Sequence, residues 1–346
     1  MSILKKVGKS LLILLAVLLV LVVLVYVALL GRGGDYYNAD GGYSHIDGKS
    51  SFIHIGGHPG LEGLGEDVLP WDGSLLNKVV KPLRLRLLIP FLGKHEATVV
   101  DGINYTIDRY SDGSAGFLDY YSESDKAADP SKSDTGLVYY KTAEGAPFVL
   151  VVPGGSFTFV GVASSGYPYA SHLQDAGYNV FILEYRVGQR SGEENKDAAM
   201  DRAGEDMLSA LDYILAHADE LGVSAEKYLL LGSSAGRQMT VRYCAEGHYA
   251  QRGLPAPSGC IMLYPANCQK YDYTGCTIPM YITACADDPQ IDVPGLDRAV
   301  EAMEAAGMTV SYNRFETGGH SFGVGVGTPA EGWLERSCAF MEPYVQ

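Results

Sequence analysis

Basic residues are scarce in this chain of 346 residues. It has 26 lysines and arginines against 41 aspartates and glutamates, giving a formal net charge of −15 at pH 7. Binding to nucleic acid depends on clustered Lys and Arg at the phosphates, so this balance argues against a nucleic-acid partner. It is consistent with a soluble domain outside the cytoplasm, but it does not identify a substrate.

Cysteine is absent before residue 244, and no C-x-x-C pair occurs. The histidines also lack zinc-finger spacing, which argues against structural zinc. His45, His54 and His58 fall in a Gly-rich stretch and are interpreted as polar loop residues rather than metal ligands. Cys268 and Cys276 flank a Tyr-rich polar loop and are a candidate disulfide, with buried free thiols as the alternative. The six cysteines are Cys244, Cys260, Cys268, Cys276, Cys285 and Cys338.

Polar side chains are also missing from residues 11–30, a run of twenty apolar residues. Such a run matches the hydrocarbon thickness of a bilayer, about 30 Å, when helical. Lys5, Lys6 and Lys9 precede it, and the positive-inside tendency places them in the cytoplasm. We therefore predict a cytoplasmic tail at 1–10, a transmembrane anchor at 11–30 and the remainder outside the cytoplasm.

Two alternatives to this anchor exist, a cleaved signal peptide and a buried helix of a soluble protein. The apolar core of a signal peptide is normally about 7–15 residues long and precedes small residues at the cleavage site. The run here is longer, and a cut after Ala28 would put Tyr26 where a small side chain is needed. The sequence favours an uncleaved anchor, followed by a linker or N-terminal extension at 31–95.

From residue 96 onward the pattern predicts a single α/β domain, 96–346. Residues 98–110 and 137–140 are β-prone and are predicted to be antiparallel edge strands. Alternating strands and helices after them predict a mostly parallel sheet with helices on both faces. The predicted strands are 148–152, 180–185, 228–231, 261–264, 280–284 and 310–315. The predicted helices are 167–176, 198–216, 296–306 and 331–341.

Residues 232–236, GSSAG, fit the G-x-S-x-G pattern of a nucleophile elbow. They follow a predicted buried strand and precede a helical segment, as the elbow requires. The flanking glycines allow a tight strand-to-helix turn, and the start of the helix favours a developing negative charge. The pattern predicts Ser234 as the nucleophile, whereas Ser233 would face away.

Residues 151–157, VVPGGSF, run from another predicted strand into two glycines. A hydrolase of this kind needs main-chain N–H donors here for the oxyanion of the tetrahedral intermediate. We predict an oxyanion hole formed by the amides of Gly155 and Ala235, with Gly154 or Ser156 as further candidates.

Acidic residues and a histidine follow two later strands. Asp287 and Asp288 come after strand 280–284, and His320 lies in GGHSFG after strand 310–315. The chain order Ser, Asp, His is that of α/β hydrolases, and such groups collect at the carboxyl edge of a parallel sheet. Because a serine hydroxyl is a poor nucleophile, His320 would take its proton, and a carboxylate would orient the imidazole.

From about residue 137 to the end, the chain resembles α/β-hydrolase esterases related to acetyl xylan and feruloyl esterases. The resemblance rests on VVPGGSF, LEYRVG, LGSSAG, ACADDPQI and TGGHSFGVG. It implies an α/β-hydrolase fold, an esterase of short acyl or aromatic esters on carbohydrate, and no metal or organic cofactor. It assigns the triad acid to Asp287, with Asp288 in reserve, and implies structural roles for Tyr185, Arg186 and Asp206. Residues 58–72 resemble an N-terminal extension of some relatives, and we expect them to lie near the active-site mouth.

Two positions depart from that pattern: Pro153 stands where a histidine is common, and Gly236 is followed by Arg237 rather than glycine. A cation is disfavoured in the first turn of a helix, so Arg237 either points to solvent or contacts substrate. Two further functions remain open. One is a dipeptidyl- or prolyl-type peptidase, for whose propeller the chain has no room. The other is a catalytically silent surface-binding protein, against which the intact triad argues.

Overall fold

The fold is described here from a computed structural model, which covers residues 2–62, 75–87, 95–188 and 196–346. In these residues the helices are α1 (Ser2–Leu29), α2 (Phe52–Gly56), α3 (Leu75–Val80), α4 (Glu96–Ser111), α5 (Glu123–Ala128), α6 (Val162–Ser165), α7 (Tyr167–Asp175), α8 (Lys196–Ala216), α9 (Ala218–Leu221), α10 (Ala235–Ala245), α11 (His248–Gln251), α12 (Val293–Ala305) and α13 (Trp333–Val345). Short 3-10 turns lie at Pro59–Leu61, Leu85–Leu87, Pro130–Asp134 and Cys268–Lys270.

Eight strands in the described residues form one sheet in the order β1-β2-β4-β3-β5-β6-β7-β8. The strands are β1 (Ala115–Leu118), β2 (Gly136–Tyr140), β3 (Ala146–Val152), β4 (Asn179–Glu184), β5 (Val223–Ser233), β6 (Gly259–Leu263), β7 (Met280–Cys285) and β8 (Val310–Phe315). The pairs β1–β2 and β2–β4 are antiparallel, and the remaining neighbours are parallel. The predicted mostly parallel sheet is confirmed.

Alternate side chains of the central strands pack into two separate cores, one on each face of the sheet. In β3, Val149 and Val151 join one core, and Phe148 and Leu150 join the other. The first core includes buried residues of α4, α7 and α13, and the second includes those of α8, α10 and α12. Since both faces are covered, the buried parts of the central strands are mainly apolar, as is expected for a parallel sheet.

The strand predicted at 98–110 is wrong, because these residues form helix α4. The run contains several β-branched residues, which favour strands when considered locally. Its buried residues Val99, Ile103 and Ile107 nevertheless recur every four positions, which is a helical spacing. Gly102 lets α4 pack directly on the start of α7, since a Cβ there would lie 2.8 Å from the Pro168 nitrogen.

The segment predicted as a linker, 31–95, packs on the domain wherever it is described. Ile46, Phe52, Ile55 and Leu61 are buried in the same core as α4. His58 is 1% exposed; its Nδ1 accepts from the Gly60 amide at 3.0 Å, and its Nε2 lies 2.9 Å from the Ser44 carbonyl oxygen. Residues 63–74 of the predicted extension lie outside the described residues. The stretch therefore contributes to the core rather than only connecting two parts.

Helix α1 includes most of the predicted anchor, although the side chains of residues 1–14 lie outside the described part. Of the helices in the described part of the chain, none has both the length and the apolar character that a membrane crossing requires.

All six cysteines are buried, and none of them forms a disulfide. Cys268 and Cys276 do not pair, so the candidate disulfide is absent. Burial raises the pKa of the Cys244 and Cys268 thiols, which keeps them protonated at neutral pH.

Candidate active site

The predicted elbow forms at the end of β5. Ser234 has φ 49° and ψ −113°, a conformation that L-residues rarely adopt, and α10 begins at the next residue. A Cβ at Gly232 would lie 2.6 Å from the Cα of Arg237, and one at Gly236 would lie 2.0 Å from the Val152 carbonyl oxygen. The two glycines of GSSAG are therefore required by close backbone contacts, and Ser234 is held at the apex of the turn.

Ser234, His320 and an aspartate form a continuous chain of hydrogen bonds. Ser234 Oγ lies 3.0 Å from His320 Nε2, and His320 Nδ1 lies 2.7 Å from Asp288 Oδ2. The Asp288 side chain is fully buried, and that of His320 is nearly so. This is the geometry in which a histidine can take the serine proton while a carboxylate fixes its tautomer.

The sequence assignment of Asp287 to this position is wrong. Strand β7 ends at Cys285, and the Asp288 amide donates to the Cys285 carbonyl oxygen at 3.2 Å, which closes a turn. The turn directs Asp288 inward and leaves Asp287 exposed at the rim. Asp287 instead accepts from the amides of Gly319, at 2.7 Å, and Gly318, at 3.3 Å. It therefore holds the loop that carries His320.

The predicted oxyanion loop lies beside Ser234 and has an unusual backbone. Gly155, Ser156 and Phe157 all have positive φ, of 143°, 57° and 59°. A Cβ at Gly155 would lie 1.8 Å from the Phe159 carbonyl oxygen, so only glycine fits there. Gly155 and Ser156 line the same cavity as Ser234, and Ala235 is the first residue of α10, where helix amides are free to bind an anion.

Gly154 does not fit the predicted role of an oxyanion donor. Its amide donates to Ser233 Oγ at 3.0 Å, in a buried position. Ser233 is fully buried and thus links the oxyanion loop to the elbow, a function that the GSSAG pattern alone did not indicate. Tyr185 supports the same loop, since its hydroxyl donates to the Pro153 carbonyl oxygen at 2.9 Å. The neighbouring Arg186 forms a buried ion pair with Asp206 at 2.7 Å.

Two small cavities meet at Ser234. One, of about 170 Å³, extends past the oxyanion loop to Ser164 and Ser165. The other, of about 140 Å³, extends along the start of α10. Tyr264, which follows β6, lies between them with its ring 4.6 Å from that of His320, and burial raises its pKa to about 12. Sequence reasoning missed Tyr264, because a lone tyrosine after a strand carries no pattern.

Arg237 does not point to solvent, contrary to one of its two interpretations. It is 1% exposed and lines the second cavity. In the described residues, no group of three or more His, Cys, Asp or Glu side chains is arranged to hold a metal ion.

Part of the chain matches a known protein family. Residues 138–248 match the BD-FAE family. That match includes the oxyanion loop and the elbow, and it confirms the resemblance inferred from the sequence. Among curated proteins, none matches the chain.

Similar solved structures are α/β hydrolases. An esterase from Thermogutta terrifontis has a TM-score of 0.54 at 19% identity, over 66% of this chain and 92% of that one. An acetyl ester-xyloside bifunctional hydrolase from Caldicellulosiruptor lactoaceticus has a TM-score of 0.54 at 17% identity, over 66% and 96%. An α/β hydrolase from a Medee basin deep-sea metagenome library has a TM-score of 0.52 at 19% identity, over 67% of this chain and 97% of that one. The predicted α/β-hydrolase fold is therefore confirmed.

Proposed function

We propose that this protein is a serine esterase that hydrolyses carboxylic esters through Ser234, His320 and Asp288. The observation that carries the proposal is the hydrogen-bonded chain from Ser234 Oγ through His320 to the buried Asp288. The match to the BD-FAE family and the esterases among the similar structures support it.

The geometry allows the usual two-step reaction. Ser234 Oγ attacks the ester carbonyl while His320 Nε2 takes its proton, and Asp288 stabilises the resulting imidazolium. The oxyanion would be bound by the amides of Gly155 and Ala235, with Ser156 as a further donor. His320 then gives its proton to the leaving alcohol. A water molecule, activated by His320, hydrolyses the acyl-enzyme in the second step.

The proposed substrates are short acyl or aromatic esters, on carbohydrate in particular. Support comes from the resemblance to acetyl xylan and feruloyl esterases and from the Caldicellulosiruptor neighbour, described as an acetyl ester-xyloside hydrolase. The cavities at Ser234 are small, which favours a short group on at least one side of the ester.

A panel of esters tests the activity and its substrate class. We expect the full chain to release p-nitrophenol from p-nitrophenyl acetate and acetate or ferulate from sugar esters. Ser234→Ala should lose this activity, apart from the modest acceleration due to binding and the oxyanion hole. Equal rates for the two proteins would contradict the proposal, and cleavage of amide but not ester substrates would favour a peptidase.

The proposal includes a membrane location, with residues 11–30 as anchor and the catalytic domain outside the cytoplasm. The support is the apolar run itself and the exposure of its described side chains. Leu15, Leu18 and Leu19 are 53%, 57% and 64% exposed. Exposed apolar surface is unfavourable in water by roughly 25 cal/mol per Å², and lipid would remove that cost.

A further inference from the structure

Arg237 is an isolated positive charge beside the nucleophile. It lies in the first turn of α10, three positions after Ser234, and its side chain is 1% exposed. Burial removes the hydration of the guanidinium, which is strongly unfavourable unless a counter-charge replaces it. The positive end of the helix adds to this cost. A buried charge at this position therefore requires a compensating interaction.

Protein groups around Arg237 satisfy it only in part. Its Nη1 donates to the Ala266 carbonyl oxygen, whereas its Nε is buried without a hydrogen-bond partner. None of the ion pairs formed by the described residues includes Arg237. By contrast, the partly or fully buried Arg186 and Arg242 pair with the carboxylates of Asp206 and Asp201.

Ionisable groups near Arg237 do not provide the missing negative charge. In the described part of the chain, the ionisable groups that act on its pKa are Cys268, Tyr271 and Tyr273. Burial raises the pKa of each of them, so they are neutral at pH 7. Burial also lowers the pKa of Arg237, yet an arginine remains protonated at neutral pH. Among the described residues, Arg237 is therefore a positive charge without a negatively charged partner.

This charge lines a cavity that reaches the reacting atoms. The cavity, about 140 Å³ in volume, is lined by Arg237, Ser234 and His320, together with the polar residues Ser156, Asn267 and Gln290. It is large enough for a small polar substrate group. A group bound here would belong to the same molecule whose ester carbonyl lies at Ser234.

We propose that Arg237 determines specificity by binding a carboxylate of the substrate. The enzyme would then prefer esters that carry a carboxylate close to the ester bond over matched neutral esters. A guanidinium binds a carboxylate through charge-assisted hydrogen bonds, which are strengthened by a buried, low-dielectric site. This inference rests on the proposed esterase function. The carboxylate could belong to the acyl part or to the alcohol part, and the test separates the two.

The competing explanation is that Arg237 only braces the loop after β6 through Ala266. A brace would affect all esters alike, whereas a carboxylate site discriminates by charge. The ratio of two kcat/KM values for matched charged and neutral esters separates these roles. Any general effect of a variant on folding or catalysis cancels in this ratio.

Two pairs of nearly isosteric esters provide that ratio. For the acyl part, monomethyl succinate is compared with methyl succinamate. For the alcohol part, 3-acetoxybenzoate is compared with 3-acetoxybenzamide. Acid release by the full chain is followed in a pH-stat at 0.15 M salt, where a Debye length of about 8 Å limits the effect of distant charges.

We expect the charged ester of one pair to be preferred by about 10- to 100-fold, the range of a hydrogen bond to a charged group. Arg237→Gln should abolish the preference, and Arg237→Lys should keep part of it. Arg242→Gln, at a half-buried arginine of the same helix that pairs with Asp201, should leave the ratio unchanged.

A wild-type protein with no preference in either pair would overturn the inference without any variant. A preference that persists in Arg237→Gln would also overturn it. If that variant fails to fold, an undiminished preference in Arg237→Lys would overturn the inference instead. These outcomes differ from failure of the esterase proposal, in which neither charged nor neutral esters are hydrolysed.

Discussion

At the scale of single residues, one turn decides which carboxylate reaches the histidine. The two aspartates after β7 are chemically identical, but Asp288 is buried against His320 and Asp287 is at the rim. The proposed mechanism needs the buried carboxylate for the His320 tautomer and imidazolium. Asp287 binds two amides of the histidine loop.

This arrangement predicts unequal effects of two neighbouring substitutions. Asp288→Asn should lower kcat by about 10³- to 10⁴-fold, because it disturbs the His320 tautomer and leaves the imidazolium unsupported. Asp287→Asn keeps one oxygen acceptor and should cost less than about tenfold, the value of one ordinary hydrogen bond. Steady-state kinetics on p-nitrophenyl acetate would measure both, and the reverse ranking would contradict the assignment.

Sequence reasoning identified Ser234 and His320 because each of them is flanked by glycines in a pattern that predicts a tight turn. It assigned the triad acid to Asp287 instead of Asp288, because the turn that directs the two side chains depends on a hydrogen bond to Cys285. It also could not show that Gly154 binds Ser233, since that contact joins residues 79 positions apart.

At the scale of elements, the oxyanion loop depends on Gly155. This residue has a φ of 143°, and a Cβ would meet the Phe159 carbonyl oxygen at 1.8 Å. Any side chain must therefore move the loop away from Ser234. Ser233 and Tyr185 also stabilise the loop through their hydrogen bonds to Gly154 and Pro153.

Gly155→Ala should therefore reduce kcat/KM by about 10²-fold or more, the cost of losing an oxyanion donor. Gly204→Ala, within helix α8, is a matched control, because no atom lies within 4 Å of its added Cβ. Alanine is favoured over glycine in a helix by about 0.5–1 kcal/mol, so the control should keep its activity and its Tm. Full activity in Gly155→Ala would show that this loop does not bind the oxyanion.

The central strands and most long helices were predictable, whereas α4 was predicted as a strand and β1 was not predicted. The central strands are apolar runs and the helices are periodic, so local patterns and the final structure agree. In α4, β-branched residues obscured the helical spacing of Val99, Ile103 and Ile107. Packing of α4 on α7 through Gly102 decides its structure, and a short sequence window does not contain that contact.

At the scale of the whole molecule, the N-terminal segment joins the proposed anchor closely to the catalytic domain. The main chain of residues 29–32 bonds to Arg84, Pro82 and Lys49. An anchor that continues into this segment would hold the domain near the membrane surface. The sequence indicated the anchor, but it did not indicate that residues 46–61 complete the domain's core.

Removal of residues 1–28, which leaves these contacts in place, should release an active protein from the membrane fraction. Fractionation with an esterase assay of both fractions measures this. As a control, Leu19→Asp with Val23→Asp in the full chain should weaken retention, because each Asp at the centre of a spanning helix costs about 2.5–3.5 kcal/mol. The anchor would be refuted if the intact chain were recovered without membranes.

The central claim, that Ser234 is the nucleophile of a triad, is tested most directly by covalent labelling. The full chain is treated with a fluorophosphonate, digested and analysed by mass spectrometry with fragmentation of the peptide containing residues 232–237. We predict a single adduct on Ser234 and none in Ser234→Ala or after denaturation, since the reaction needs the hydrogen bond to His320. An adduct on Ser233 or Ser156, or no adduct on the folded protein, would contradict the account.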